Sequence, residues 1–304
     1  MEPHAVGKLV RDGALVRIRQ GVYADMESWR AADPAERYRQ FVRATVWQGR
    51  RTALASAVSA AAMHRLPIIG TWPAVVHTLD PRATGGSNAR AVVRHRAGPP
   101  AEPVQIEGVP VTSLSRTLID VASSSSFLVA VTMIDHALRA EQERVRNDER
   151  RGVAGAPALT KADLFAELEY VRPRTGYRQA ERAIAFANPL AANPGESLSR
   201  VRMHELGFEV PELQVAFPDI GGRDYWVDCY WRRIRMIGEF DGKLKYTRGA
   251  VLGDRDPAEV VVAEKVREDA LRRHVSSFIR WDWDTAISPR RFYDFLVDSG
   301  VPRA

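Results

Sequence analysis

The stretch Arg223–Lys245, RDYWVDCYWRRIRMIGEFDGKLK, leaves this chain few ways to fold. Tyr225 to Trp231 is aromatic and β-branched, as strands are, and Ile234 to Asp241 carries Ile, Met and Phe before Gly242 stops it. Arg232 and Arg233 between the two runs read as the turn of a hairpin. A turn centred there sets Trp231 against Met236 and Asp228 against Glu239. Side chains alternate with period two, so Glu239 and Asp241 share one face. Like charges opposed across a hairpin are destabilising. Three acids on one patch must therefore be wetted, paired with Arg or Lys, or engaged with a cation.

A chain of 304 residues suggests two or three domains. With 45% hydrophobic and 27% charged residues it has material for real cores, which argues against wholesale disorder. The net charge of +6 and sequence pI near 9.6 favour an anionic partner, nucleic acid first. Cys229 is the single cysteine, which excludes an internal disulfide and a cysteine-based zinc site. The first residues carry no apolar signal core, and no run reaches the length of a membrane span. The expectation is a soluble cytoplasmic protein with no membrane partner.

In the first 23 residues, Ala5, Leu9 and Val10 have helical spacing and Gly13 ends the helix. Leu15 to Arg19 alternates apolar with basic, Gln20-Gly21 turns, and Val22-Tyr23 begins a returning strand. Helix, strand, tight turn and strand form the last third of a winged helix, which reads the major groove with its helix and touches phosphates with its wing. Lys8, Arg11, Arg17 and Arg19 are placed for DNA; a hairpin with a solvated basic edge reads equally well. Residues 34–48 read as a helix with Pro34 in its first turn, and 53–65 as a helix of small residues ending at His64. His64 reads as a helix-end partner rather than a catalyst. Short strands are expected at Val75–Leu79, Ala91–His95 and Gly108–Val111, then helices from Thr112 and Phe127.

GKLVRDGALVRIRQGVY, RTALASAVSAAAMHRL and VPVTSLSRTLIDVA together resemble the AbiEi-type antitoxin regulators of type IV toxin–antitoxin systems. The resemblance implies a transcriptional regulator that binds DNA and, in some settings, answers to a cognate toxin. That family places two further helices before the recognition helix, and this sequence starts at the recognition helix. The expected domain is thus a partial winged helix over 1–30, followed by an α+β scaffold over 31–140.

Residues 141–158 are dense in charge and then broken by Gly152, Gly155 and Pro157, which reads as a linker. Thr160 with Asp163 three residues on reads as a capping box opening a new domain over 159–304, with a further helix at Gly176–Phe186. Asn193-Pro194-Gly195-Glu196 leads into a helix, Glu212–Phe217 reads as a strand, the hairpin follows, then a helix over Ala258–His274 and a strand over Ser277–Trp281. Trp226, Tyr230, Trp281 and Trp283 read mostly as core.

This order, with the segments PGESLSR, YWVDCYW, IGEFDG and EKVREDALRR…FIRWDW, resembles the PD-(D/E)XK nuclease superfamily, and more narrowly the small domain related to very-short-patch repair endonucleases. The resemblance implies a restriction-endonuclease-like core and Mg²⁺- or Mn²⁺-dependent hydrolysis of DNA. It assigns metal ligation to Asp228, Glu239 and Asp241, with Glu196 joining the catalytic set. Such sites need hard oxygen ligands, since Mg²⁺ takes one or two carboxylates beside water and phosphate. The sequence departs from the superfamily where a lysine usually stands two residues after the second acid, because Asp241 is there. Lys243, Lys245 and Lys265 are the substitute cations; Lys265 reads equally as a surface partner of Asp269. Arg267 and Arg280 are candidates for phosphate contact or for structural pairing. Cys229, one residue off the acidic face, points into the core and is no nucleophile. The fold class expected is α+β, and the leading function a DNA endonuclease-like protein. The alternative is a non-catalytic regulator that keeps a nuclease fold.

Overall fold

A computed structural model of the chain describes residues 3–49, 54–80, 87–89, 91–96, 99, 101–242 and 257–304. The fold is α+β, and the chain divides into two compact units, Met1–Ala187 and Asn188–Ala304.

The first unit opens with α1 (Pro3–Arg11) and an antiparallel hairpin of β1 (Leu15–Arg19) and β2 (Val22–Asp25). Helix, strand, turn and strand thus stand in the expected order. Asp25 caps α2 (Met26–Ala31) through the Ser28 amide, and Asp33 caps α3 (Pro34–Gln48) through the Glu36 amide. The apolar stripe of α3 buries Tyr38, Val42 and Val46, while Arg19 Nη1 donates to Thr45 Oγ1 at 2.6 Å and ties the hairpin to this helix.

Next come β3 (Leu54–Ala55), α4 (Ala57–Met63), β4 (Val76–Asp80), β5 (Ser87–Ala89), β6 (Val92–Arg96), β7 (Pro103–Ile106) and β8 (Val109–Thr112). They form one mixed sheet in the order β5-β6-β4-β3-β8-β7, in which β4 runs parallel to β6 and β3 to β8. Val42, Met63, Val76, Val109 and Val111 share a core under it. Tyr38 crosses that core with its hydroxyl on Ser59 Oγ at 2.7 Å and Val75 O at 2.9 Å, which satisfies a polar atom that burial would otherwise penalise. Four helices complete the unit: α5 (Leu114–Ser124), α6 (Phe127–Arg151), α7 (Lys161–Tyr170) and α8 (Tyr177–Phe186).

The expected linker over 141–158 needs correction. Residues 141–151 are the last three turns of α6, which stops at Gly152 in a left-handed cap. The dense charge there is helical pairing at spacings of three and four: Arg144 reaches Glu141 at 2.9 Å and Asp148 at 3.1 Å. The capping box of Thr160 and Asp163 forms as expected, but α7 and α8 belong to the first unit, so the division falls at 187/188 rather than at 158.

The second unit runs α9 (Pro194–Glu205), β9 (Glu212–Phe217), β10 (Tyr225–Trp231), β11 (Met236–Asp241), α10 (Pro257–Arg272), β12 (Ser277–Asp282), α11 (Trp283–Ile287) and α12 (Pro289–Asp298). The sheet order is β12-β11-β10-β9, antiparallel except that β11 runs parallel to β12. The hairpin has the register the aromatic pattern implies, with Trp231 opposite Met236, and a single tight turn of helix at Arg232–Ile234 connects the strands. Trp281 and Tyr230 are core residues, whereas Trp226 is 54% exposed and Trp283 36%. Helix α9 is held against the sheet by Trp281 Nε1, which donates to Ser199 Oγ at 2.7 Å. Its first turn lies so close that a Cβ on Gly195 would stand 2.0 Å from the Phe240 ring. Among the described residues no helix is long and apolar enough to cross a membrane.

Candidate functional site

The acids of the second unit come from three elements. Asn193 caps α9 through the amides of Gly195 and Glu196, which fixes Glu196 in the first turn of that helix. Glu196 is 1% exposed. Its Oε2 accepts from the Ala192 amide at 2.8 Å and its Oε1 from Asn193 Nδ2 at 2.6 Å. Asp228 lies in β10, half-buried, and its Oδ2 accepts from the Phe240 amide of β11 at 3.1 Å. Glu239 follows Gly238, the partner of Cys229, so the hairpin register carries it toward Asp228.

One residue joins two of these acids, and the sequence reading missed it. Gln214 in β9 falls opposite Asp228, between the pairs Leu213–Cys229 and Val215–Val227. Its Nε2 lies 3.4 Å from Glu196 Oε2 and 3.4 Å from Asp228 Oδ1. Its φ of +49° is left-handed, rare for a side chain with a Cβ and rarer inside a strand. The available signal was a lone amide in ELQVAF, on the strand that flanks the acidic hairpin.

Glu239 is 8% exposed and held by two arginines. Arg267 Nη2 from α10 reaches its Oε1 at 2.7 Å, and Arg280 Nη2 from β12 reaches its Oε2 at 2.9 Å. Arg267 also donates to Trp226 O at 2.7 Å, and both arginines share Glu264, at 3.1 and 2.6 Å. Burial pushes the Glu239 carboxyl above its ordinary range, with Arg267 and Arg280 pulling the other way and burial prevailing. Both arginines are thus paired with Glu239 and Glu264 in the fold.

The remaining candidates separate. Asp241 is half-buried at the end of β11 beside Asp282 of β12. Lys265 is exposed and not brought to the acids. It lies about 100° round α10 from the face that Glu264, Arg267 and Glu268 present to Arg280. Lys243 and Lys245 lie outside the described residues. Burial, with the charges of Asp228 and Glu196, pushes the Cys229 thiol far up, consistent with a core residue. Among the described residues no group of three His, Cys, Asp or Glu side chains is arranged to hold a metal ion.

No protein-family model and no solved structure matches the chain. The chain is similar to the uncharacterized proteins Rv2248 and MT2308 of Mycobacterium tuberculosis strains ATCC 25618 / H37Rv and CDC 1551 / Oshkosh. Each is 27% identical over 232 residues, covering 76% of this chain and 75% of the relative. A match of that length exceeds either unit alone, so it draws on both.

At the other end of the chain, Lys8, Arg11 and Arg17 are exposed on α1 and β1. Arg19 is half-buried and committed to Thr45, which removes it from the free basic surface. His64 Nε2 lies 2.8 Å from Thr112 O, a structural use.

Proposed function

We propose that Asn188–Ala304 is a phosphodiester-hydrolysing module of the PD-(D/E)XK type, acting on DNA, and that the α1–β2 segment of the first unit supplies regulator-like DNA contact through Lys8, Arg11 and Arg17. The observation that carries the reading is the approach of Glu196 Oε2 and Asp228 Oδ1 to a single small group, Gln214 Nε2. Glu196, buried, and Asp228, half-buried, thus come from different elements to share one donor, an arrangement that groups carboxylate oxygens at one point. Mg²⁺ or Mn²⁺ suits such oxygens, and Asp228 and Glu196 would hold it, with Asp241, two residues beyond Glu239 on β11, as a further carboxylate. When bound, it would supply a hydroxide near neutral pH and neutralise phosphate charge. Gln214 keeps the two carboxylates apart and oriented. The hydrogen bond that the Phe240 backbone N–H donates to Asp228 Oδ2 fixes Asp228 against β11. Glu239 is held by Arg267 and Arg280, so its part is to anchor those guanidinium groups beside the acids, where they can meet phosphate oxygens. The protein acts in the cytoplasm in this reading.

A second reading has its own observation. The double arginine clamp on Glu239, with Lys265 turned away, favours a nuclease fold kept for structure in a DNA-binding regulator with a toxin partner. Incubation of the full-length protein with supercoiled, linear and single-stranded DNA plus Mg²⁺ or Mn²⁺ separates the two. Cleavage that Asp228→Asn abolishes, in a variant that melts like the wild type, supports hydrolysis. Absence of cleavage on every substrate with either cation refutes it in favour of the regulator.

A further inference from the structure

The first unit contains a cleft of about 900 Å³ that neither reading uses, bounded by the start of α4, the end of β6, α5 and the segment after α7. Two residues of its lining carry a buried side-chain oxygen without a hydrogen-bond partner: Ser56 through Oγ and Asp120 through Oδ2. Ser56 is 0% exposed and Asp120 3%. Ser56 occupies the position before α4 where a serine ordinarily caps the helix, yet its side chain makes no cap bond. The other Asp120 oxygen is fully engaged, accepting from Arg116 Nε at 3.1 Å and lying 2.8 Å from Arg174 Nη2. Arg174 is itself braced by Ser123 Oγ at 2.8 Å. A buried acceptor left open costs roughly 1–3 kcal/mol, so native folds seldom tolerate two on one wall.

The charge of the lining is lopsided. Arg96, Arg116, Arg172 and Arg174 line the cleft with one carboxylate, Asp120; Arg172 also pairs with Glu169 at 2.9 Å and Arg116 lies 3.8 Å from Glu167, neither of them in the lining. The volume is that of a metabolite-sized ligand. Planar guanidinium groups match phosphate oxygens in pairs. Asp120 Oδ2, acceptor only, calls for an N–H or O–H on the same molecule, and Ser56 Oγ can accept or donate.

We propose that this cleft binds a small phosphorylated metabolite carrying hydroxyl or amino donors, of the nucleoside phosphate class, with its phosphate on the arginines and a donor on Asp120. The site lies wholly in the first unit and does not depend on the hydrolytic reading of the second.

Calorimetric titration of the full-length protein with ATP, AMP, ribose 5-phosphate, adenosine and inorganic phosphate tests it. EDTA and an Asp228→Asn background remove any contribution from the acids of the second unit. The expected result is one-to-one binding of a phosphorylated compound, tighter than either adenosine or inorganic phosphate. Ser56→Ala should weaken that binding about three- to tenfold with the melting temperature unchanged, because Ser56 Oγ has no hydrogen bond in the fold to lose. Asp120→Asn, which turns the open acceptor into a donor, should weaken it at least about tenfold. Three results overturn the proposal: no binding by any compound at millimolar concentration, binding that Ser56→Ala leaves untouched, or inorganic phosphate binding as tightly as the larger phosphates.

Discussion

Replacing Gly195 by alanine separates two opposing effects of known size. Gly195 lies in the first turn of α9, where alanine is intrinsically the better helix former by about 1 kcal/mol. The new Cβ would stand 2.0 Å from Phe240 Cε1, 2.2 Å from Cζ and 2.7 Å from Cδ1. Carbon atoms settle near 3.5–4 Å, so helix or ring must retreat by about 1.5 Å. Phe240 is 6% exposed in β11, and Trp283 packs edge-on against it, so the ring has little room to move. Overpacking of this kind costs about 1–3 kcal/mol. A 2.0 Å approach to a confined ring puts the cost at the upper end, about 2–3 kcal/mol, so the net expectation is a loss of about 1–2 kcal/mol despite the propensity gain. Denaturant unfolding followed by tryptophan fluorescence measures it, since Trp226, Trp231, Trp281 and Trp283 all lie in this unit. Phe240→Leu should recover much of the loss when combined with Gly195→Ala, because it removes the ring atoms that clash. Because Glu196 is the next residue, any retreat of the helix also pulls that carboxylate from Gln214, so under the hydrolytic reading proposed above DNA cleavage should fall as well. A Gly195→Ala protein as stable as wild type, or a double variant no better than the single, refutes the close-packing argument.

Two further outcomes follow from the buried charges. Arg267→Gln should cost about 2–3 kcal/mol at neutral pH, because Glu239 then keeps only Arg280, and the loss should shrink in acid as Glu239 takes a proton; denaturation at two pH values, with the Arg267→Gln/Glu239→Gln double variant recovering most of the stability, is the check, and equal single and double variants sink the idea. His77 in the first unit is pushed down to about 4 by burial and by His95, whose Nε2 lies 2.8 Å from its Nδ1. The unfolded chain binds that proton from about pH 6.5 downward while the folded chain refuses it, so stability should fall as pH drops from 6.5 toward 4. Screening at this partly exposed site limits the effect to about 1–2 kcal/mol, and thermal melts should fall more steeply with acid in wild type than in His77→Asn, where the half-buried His64, His95 and His136 still contribute.

Local signals carried much of this fold. The Tyr225–Trp231 and Met236–Asp241 strands, the Trp231–Met236 register, the caps at Asp33, Thr160 and Asn193, and the stop at Gly152 all follow from contacts a few residues apart. Period-two alternation and capping chemistry are decided by the backbone of the segment itself, so they are legible before anything packs. The same locality explains the misplaced boundary. A run of charge reads as a linker unless its three- and four-residue pairing is noticed, and the attachment of α7 and α8 to the first unit has no local mark at all.

The acids of the second unit and the arginines Arg267 and Arg280 were visible in the sequence, but which acid the arginines meet was not. Glu239 meets Arg267 and Arg280, which lie 28 and 41 residues further along. Which cation on α10 reaches the acid depends on how that helix is rotated over the sheet. Lys265 and Arg267 differ by about 200° in phase, so packing admits one and exposes the other. Gln214, whose backbone is left-handed inside β9, joins Glu196 to Asp228, and surrounding packing must sustain that strain. Spacing along the chain can gather carboxylates on a face; which charges and dipoles answer them is settled by helix phase and strand geometry, and both exist only in the folded molecule.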